Sequence, residues 1–389
     1  MTTAVIIYDK LAYKTDADVV HHILRKAGIT NIAHIDMREP PVVADIQIHV
    51  RIPVYATVSW AHTNILLTHP DQWTPAFTPY IHAFRIYNMA ENPWTTSLDS
   101  ELPKEIYDRF FPLLHVTKEK TLGTPILQIA DCPMISIITP TYNRKKLIDI
   151  AFHNLLSTDY PKEKIEWIIV EDSTKENMAT EKIVNFQAIA PTISVRYIPL
   201  EVRVSIGEKP ASVEARVSIG EKPASTEARV SIGEKRNIGI THATHPIILF
   251  MDDDDHCPIT AFRRRVAWLL YGGKDIVCCT TLPLYDLNSG ASAVSVPPFH
   301  LPLSQRISEA TLTFKKYVWE DRQFPTVSIA EGEAWLEGRE SQVREIPSQQ
   351  IIVAFSHGAN QSSRIVPKDA KQSCFWGFPV EYLEFIHGL

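Results

Sequence analysis

PIILFMDDDD, residues 246–255, carries five apolar residues, Ile247 to Met251, straight into four carboxylates, Asp252 to Asp255. An apolar run this short, opened by proline, reads as a buried strand, so the acids stand at a strand end and not in a solvated acidic tail. Four adjacent carboxylates repel one another unless a cation sits among them, and an all-oxygen donor set suits the hard ions Mg²⁺ or Mn²⁺. Alternate residues of an extended chain face the same way, which pairs Asp252 with Asp254 as ligands. The competing reading is a helix start, with Asp255 capping a helix that begins near Pro258.

The same punctuation recurs on both sides of this stretch. MISIITPTYNR (134–144) reads as a strand and loop, and KKLIDIAFHNLL (145–156) as an amphipathic helix. KIEWIIVEDS (164–173) reads as a second strand ending in Glu171 and Asp172, and ISVRYIPL (193–200) as a third. RNIGITHAT (236–244) predicts a short helix, PITAFRRRVAWLLY (258–271) another, and IVCCTTL (276–282) a further strand. The basic run Arg263 to Arg265 is expected on a solvated face. Alternating strands and helices predict an α/β domain with a doubly wound, mostly parallel sheet, which binds ligands at the carboxyl ends of its strands. Thr139–Arg144 and Glu171–Asp172 then approach the acids. Glu171 and Asp172 either accept hydrogen bonds from a ribose or base, or cap the helix after Thr174. No GxxxxGK[ST] occurs, which removes a P-loop from consideration.

The first residues repeat the theme weakly. TAVIIY (3–8), the helical ADVVHHILRKAGI (17–29) with Gly28 at its end, and strands near Ile32–Ile35, Ile46–Val50 and Asn64–Leu67 predict a small α/β domain over residues 1–130. Prolines between Glu91 and Pro133 mark its boundary, and residues 131–389 form the second domain. The chain has 389 residues, 45% apolar and 22% charged, which excludes general disorder. A net charge of −6 leaves no basic footprint for nucleic acid. Five cysteines without CxxC spacing indicate reduced thiols. No apolar run reaches transmembrane length. The expectation is a soluble, cytoplasmic protein, with peripheral membrane association and homo-oligomerisation left open.

Taken together, ISIITPTYNR, WIIVEDS, GEKRNIGITHA and ILFMDDDD resemble, in order and spacing, the family 2 glycosyltransferases of the A-type nucleotide-diphospho-sugar transferase fold, over residues 133–389. The resemblance implies a Rossmann-like, mostly parallel sheet, with Thr139, Pro140 and Tyr142 lining the nucleotide base. Asp172, with Glu171, would hold base or ribose, and Lys235, Arg236 and Asn237 would lie near the nucleotide. Asp252 and Asp253 would touch the nucleotide, and Asp252 and Asp254 the metal-diphosphate. His357, in IIVAFSHGANQSS, resembles a late histidine that completes the metal site, with Asn360 beside it. His242 and His245 are read as structural. The implied reaction moves a sugar from a nucleotide-sugar donor to a glycan, glycoprotein or other hydroxyl, with inversion.

Such a displacement needs a carboxylate base. IAEGEAWLEGR (329–339) offers Glu333, the preferred residue, followed by Glu331, and WEDRQF (319–324) offers Asp321. Where the usual motif has Glu-Asp, this chain has Glu331-Gly332-Glu333. Two rival readings are a nucleotidyltransferase or sugar-nucleotide pyrophosphorylase, and a non-catalytic sugar-nucleotide-binding module.

RVSIGEK begins at Arg203, Arg216 and Arg229, a period of thirteen. The first two copies continue into Pro210 and Pro223, whereas the third continues into Arg236-Asn237. Residues 203–228 are therefore expected to be a tandem-repeat insertion looping out of the fold, since long loops cost little closure entropy. Deleting them should leave donor binding intact by calorimetry; loss of binding would make the first two copies functional.

Overall fold

The computed structural model describes residues 2–39, 41–94, 101–118, 122–200, 229–358, 360, 366, 371–374 and 376–389. The repeat copies at 203–228 lie outside the described residues.

The N-terminal unit is a five-stranded parallel sheet. Its strands are β1 (Thr3–Tyr8), β2 (Asn31–Asp36), β3 (Ala44–Val50), β4 (Ala61–Thr68) and β5 (Arg85–Asn88), in the order β2-β1-β3-β4-β5. Helix α1 (Lys14–Lys26) buries Val19, Val20, Ile23 and Leu24 at the spacing that the sequence displays. Helix α2 (Lys104–Phe110) adds Ile106, Tyr107 and Phe110 to the same core.

The second unit carries β6 (Ile135–Thr141), α3 (Ile148–Ser157), β7 (Ile165–Glu171), α4 (Thr180–Ile189), β8 (Ser194–Pro199), α5 (Ile232–His242), β9 (Ile247–Phe250), α6 (Ala261–Tyr271) and β10 (Ile276–Cys278). Beyond them come the hairpin β11 (Leu282–Asp286) and β12 (Ala291–Ser295), then β13 (Thr313–Lys315), α7 (Lys316–Asp321), α8 (Glu331–Leu336), β14 (Val343–Glu345), β15 (Ala354–Ser356) and α9 (Val380–His387). Seven strands form one sheet in the order β14-β10-β13-β9-β6-β7-β8, and β11, β12 and β15 form a smaller one. Only β13 runs against its neighbours in the large sheet. This is the mostly parallel α/β fold that the sequence predicts.

Every residue of β6 and β7 is buried, because helices cover both faces of such a sheet and no polar face is left to alternate. The registers Thr141↔Glu171 and Ile138↔Phe250 bring the carboxyl ends of β6, β7 and β9 side by side. The third repeat copy belongs to this framework. Ser231 caps α5 by accepting from the Glu234 N–H at 3.2 Å. Gly233 lies against the backbone of 325–327, where an added Cβ would meet the Pro325 carbonyl oxygen.

The solvated face expected for Arg263 to Arg265 is corrected. Arg265 is buried, and its guanidinium donates to the carbonyl oxygens of Phe250 and Leu312 and to Thr313 Oγ1 at 2.7–2.8 Å. Arg263 Nε donates to the Leu127 carbonyl oxygen. The Leu312 carbonyl already accepts the Phe250 N–H at 3.0 Å, and the Arg265 fork fills its second lone pair together with the neighbouring Phe250 carbonyl. Burial lowers its pKa to about 10. Among the described residues, the five cysteines form no disulfide, and no helix is long and apolar enough to cross a membrane.

Candidate active site

A cavity of about 320 Å³ opens over the carboxyl ends of β6 and β9, lined by Pro140, Tyr142, Lys235, Arg236, Asp252 and Asp254. Its far wall comes from the segment between β12 and α8, including Gln305 and Glu309, and from Glu331 at the start of α8.

The acidic run divides its labour. Carboxylate oxygens of Asp252, Asp254 and Asp255 lie within 4.8 Å of one another. Asp253 turns away: it accepts from Thr141 Oγ1, and Arg144 Nη1 lies 2.8 Å from it and 2.7 Å from Asp254. Burial and neighbouring Asp254 raise the Asp253 pKa, against the pull of Arg144. His357 Nε2 lies 3.0 Å from Asp254 Oδ2, and Asn360 Nδ2 donates to the same oxygen at 3.3 Å. Asp255 Oδ1 accepts from the Phe355 N–H at 3.1 Å, which ties β15 to the cluster.

Three residues of α5, Ile232, Lys235 and Arg236, line the cavity, at the i, i+3 and i+4 spacing that puts them on one face of the helix. Lys235 Nζ donates to Asp172 Oδ1 at 2.7 Å and to the Thr141 carbonyl oxygen at 3.0 Å. Burial lowers its pKa while Asp172 opposes the shift. Arg236 Nε donates to Glu331 Oε1 at 2.8 Å, and Nη2 lies 3.6 Å from Asp252 Oδ1. The guanidinium of Arg229 stacks over the Tyr142 ring at 4.0 Å.

Five other expected residues lie elsewhere. Thr139 is buried beneath the sheet end, donating to the Met251 carbonyl oxygen and accepting from Trp167 Nε1. Glu171 accepts from Tyr197 Oη, Ser173 Oγ and the N–H of Ala179, the residue before α4. Asn237 falls off the cavity-facing stripe of α5 and binds Trp319 Nε1 and the Phe324 backbone. Asp321 is 79% exposed and paired with Arg339. Glu333 accepts from Gln305 Nε2 at 2.6 Å and does not line the cavity. Glu309, half-buried between β12 and β13, has no motif around it. Burial and the nearby Glu331 raise its pKa to about 7.

Residues 225–295, from the approach to α5 through β12, match the family model Glycosyl transferase family 2. Over these residues the chain is similar to the family 2 glycosyltransferases. The match takes in Lys235, Arg236 and the whole acidic run. A comparison with curated proteins finds no match. Among solved structures, the chain is similar to the mannosyltransferase PcManGT from Pyrobaculum calidifontis, in complex with GDP-Man and Mn²⁺, with 18% identity and a TM-score of 0.41 over 60% of each chain. It is also similar to S. aureus TarS 1–349 in complex with UDP-GlcNAc, at 18% identity and a TM-score of 0.41, over 61% of this chain and 63% of that one. The chain therefore spans less than two thirds of the length of both structures.

Proposed function

We propose that the chain is a metal-dependent glycosyltransferase that moves a sugar from a nucleotide-diphospho-sugar to an acceptor hydroxyl, with inversion at the anomeric carbon. One observation carries the reading. Asp252 Oδ1 and Arg236 Nη1 are buried polar atoms of opposite charge in one cavity, and neither has a hydrogen-bond partner among the described residues. Buried polar groups are rarely left this way, and a cation bound together with an anion satisfies both. A nucleoside diphosphate with a divalent ion is such a pair.

Asp252 and Asp254 would hold the ion, Mn²⁺ or Mg²⁺, with Asp255 in reach and His357 beside Asp254. The all-oxygen cluster fits a hard ion. When bound, the ion neutralises the charge that develops on the departing diphosphate. Arg236 adds a fixed positive charge near the same leaving group. Tyr142 offers a stacking face for the base, and Asp172, whose carboxylate accepts from Lys235 Nζ and the Val230 N–H, holds Lys235 at the cavity wall. In this reading residues 131–389 are the catalytic domain, and residues 1–130 an accessory domain.

Calorimetry with a panel of nucleoside diphosphates should give binding that depends on Mn²⁺, and the matching donor sugar should then be turned over with release of nucleoside diphosphate. Binding that ignores the metal would remove the reading. Release of pyrophosphate would replace it with nucleotidyl transfer.

A further inference from the structure

The cavity wall opposite the aspartates carries two carboxylates, and their surroundings differ. Glu331, at the start of α8, is 4% exposed at its side chain, and Arg236 Nε holds its Oε1 at 2.8 Å. That oxygen is committed to a charge-assisted pair with a buried guanidinium. Glu309 lines the same wall, with its Oε1 beside Gly332.

Gly332 explains how Glu309 reaches this place. A Cβ built on Gly332 would lie 2.8 Å from Glu309 Cγ, 3.1 Å from Glu309 Oε1 and 2.5 Å from Ile307 Cδ1. A side chain fits there only if the ends of the Glu309 and Ile307 side chains shift. The space in front of position 332 is filled by a carboxylate from a different segment, and that carboxylate borders the same cavity as Asp252 and Arg236.

We propose that Glu309 is the catalytic base that accepts the proton of the acceptor hydroxyl. This rests on the sugar-transfer reading. As the acceptor oxygen bonds to the anomeric carbon, the bond from that carbon to the diphosphate oxygen breaks, and its electron pair leaves with the nucleoside diphosphate. The hydroxyl proton moves to a Glu309 carboxylate oxygen. Three groups face this carboxylate from the elements around it: Glu331 of α8, Arg236 of α5 and the thiol of Cys278 on β10. Glu331 raises its proton affinity and Arg236 lowers it. Cys278 stays neutral, its pKa pushed well up by burial. The base is active when ionised, so transfer falls as the pH drops through about 7.

The test is acceptor transfer by Glu309→Gln across pH 5.5–9, roughly the span over which a group of this pKa changes charge, together with Mn²⁺-dependent nucleoside diphosphate binding. The expected result is a loss of about 10²- to 10⁴-fold in transfer, the usual worth of a general base, with the acidic limb gone and nucleotide binding unchanged. Glu309→Ala combined with Gly332→Asp, which puts a carboxylate back into the vacated space, should exceed Glu309→Ala alone in transfer. Transfer within threefold of the parent (about 0.65 kcal/mol), or an acidic limb that persists in Glu309→Gln, overturns the assignment. So does loss of nucleotide binding in Glu309→Gln, which would make Glu309 a structural residue. Absence of metal-dependent nucleotide binding in the unaltered protein would instead remove the transferase reading itself.

Discussion

Asp252→Asn should lower metal-dependent sugar transfer by about 10²- to 10³-fold, since ion stabilisation of a leaving group is worth several kcal/mol and each 1.4 kcal/mol is tenfold. The substitution keeps shape and hydrogen-bonding capacity and removes one negative charge. Asp252 is a clean site for it because its Oδ1 makes no hydrogen bond among the described residues, and its nearest cation, Arg236, lies 3.6 Å away. The fold should not depend on it. Thermal unfolding is therefore expected to match that of the parent, while Mn²⁺-dependent nucleotide binding weakens in calorimetry. Asp253→Asn makes the contrast: Asp253 is tied to Thr141 and Arg144, so its change should register in stability. Full transfer by Asp252→Asn would mean that the ion is held without it.

The strands were legible because β6, β7 and β9 are apolar runs with punctuation on both sides, and burial on both faces leaves no competing pattern. The acids were legible as a cluster, but their orientation was not. Alternation pairs Asp252 with Asp254 and says nothing of Asp255, because period two holds only while the chain stays extended, and β9 ends at Phe250. Beyond it, Asp255 swings into reach of the other two and Asp253 turns to Arg144. Asn237 could have been separated from Arg236 by helical periodicity, a local signal. Arg265 could not, because its acceptors on β9 and β13 come from distant parts of the chain. Glu309 has the same cause: nothing in SEATLTF announces an acid that folds over Gly332, and only the tertiary path of 303–332 puts it there.

Arg236→Met should be the most destabilising single change in the cavity. Arg236 is 3% exposed at its side chain and forms an ion pair with Glu331, itself 4% exposed. Removing one partner of such a pair strands the other charge in a medium that solvates it poorly, at a cost of about 3–5 kcal/mol, whereas removing both is often near neutral. Met keeps most of the apolar stem that packs where the guanidinium lies 4.1 Å from the centre of the Phe250 ring, so the loss reports charge more than volume. Adding Glu331→Gln to Arg236→Met should accordingly recover most of the stability, a coupling readable as a double-mutant cycle in denaturant unfolding. Nucleotide binding should not recover with it, because Arg236 Nη1 is a buried donor with no hydrogen-bond partner among the described residues and the cycle restores no positive charge. If the double variant bound nucleoside diphosphate as the parent does, Arg236 would be a structural counter-ion to Glu331 and nothing more.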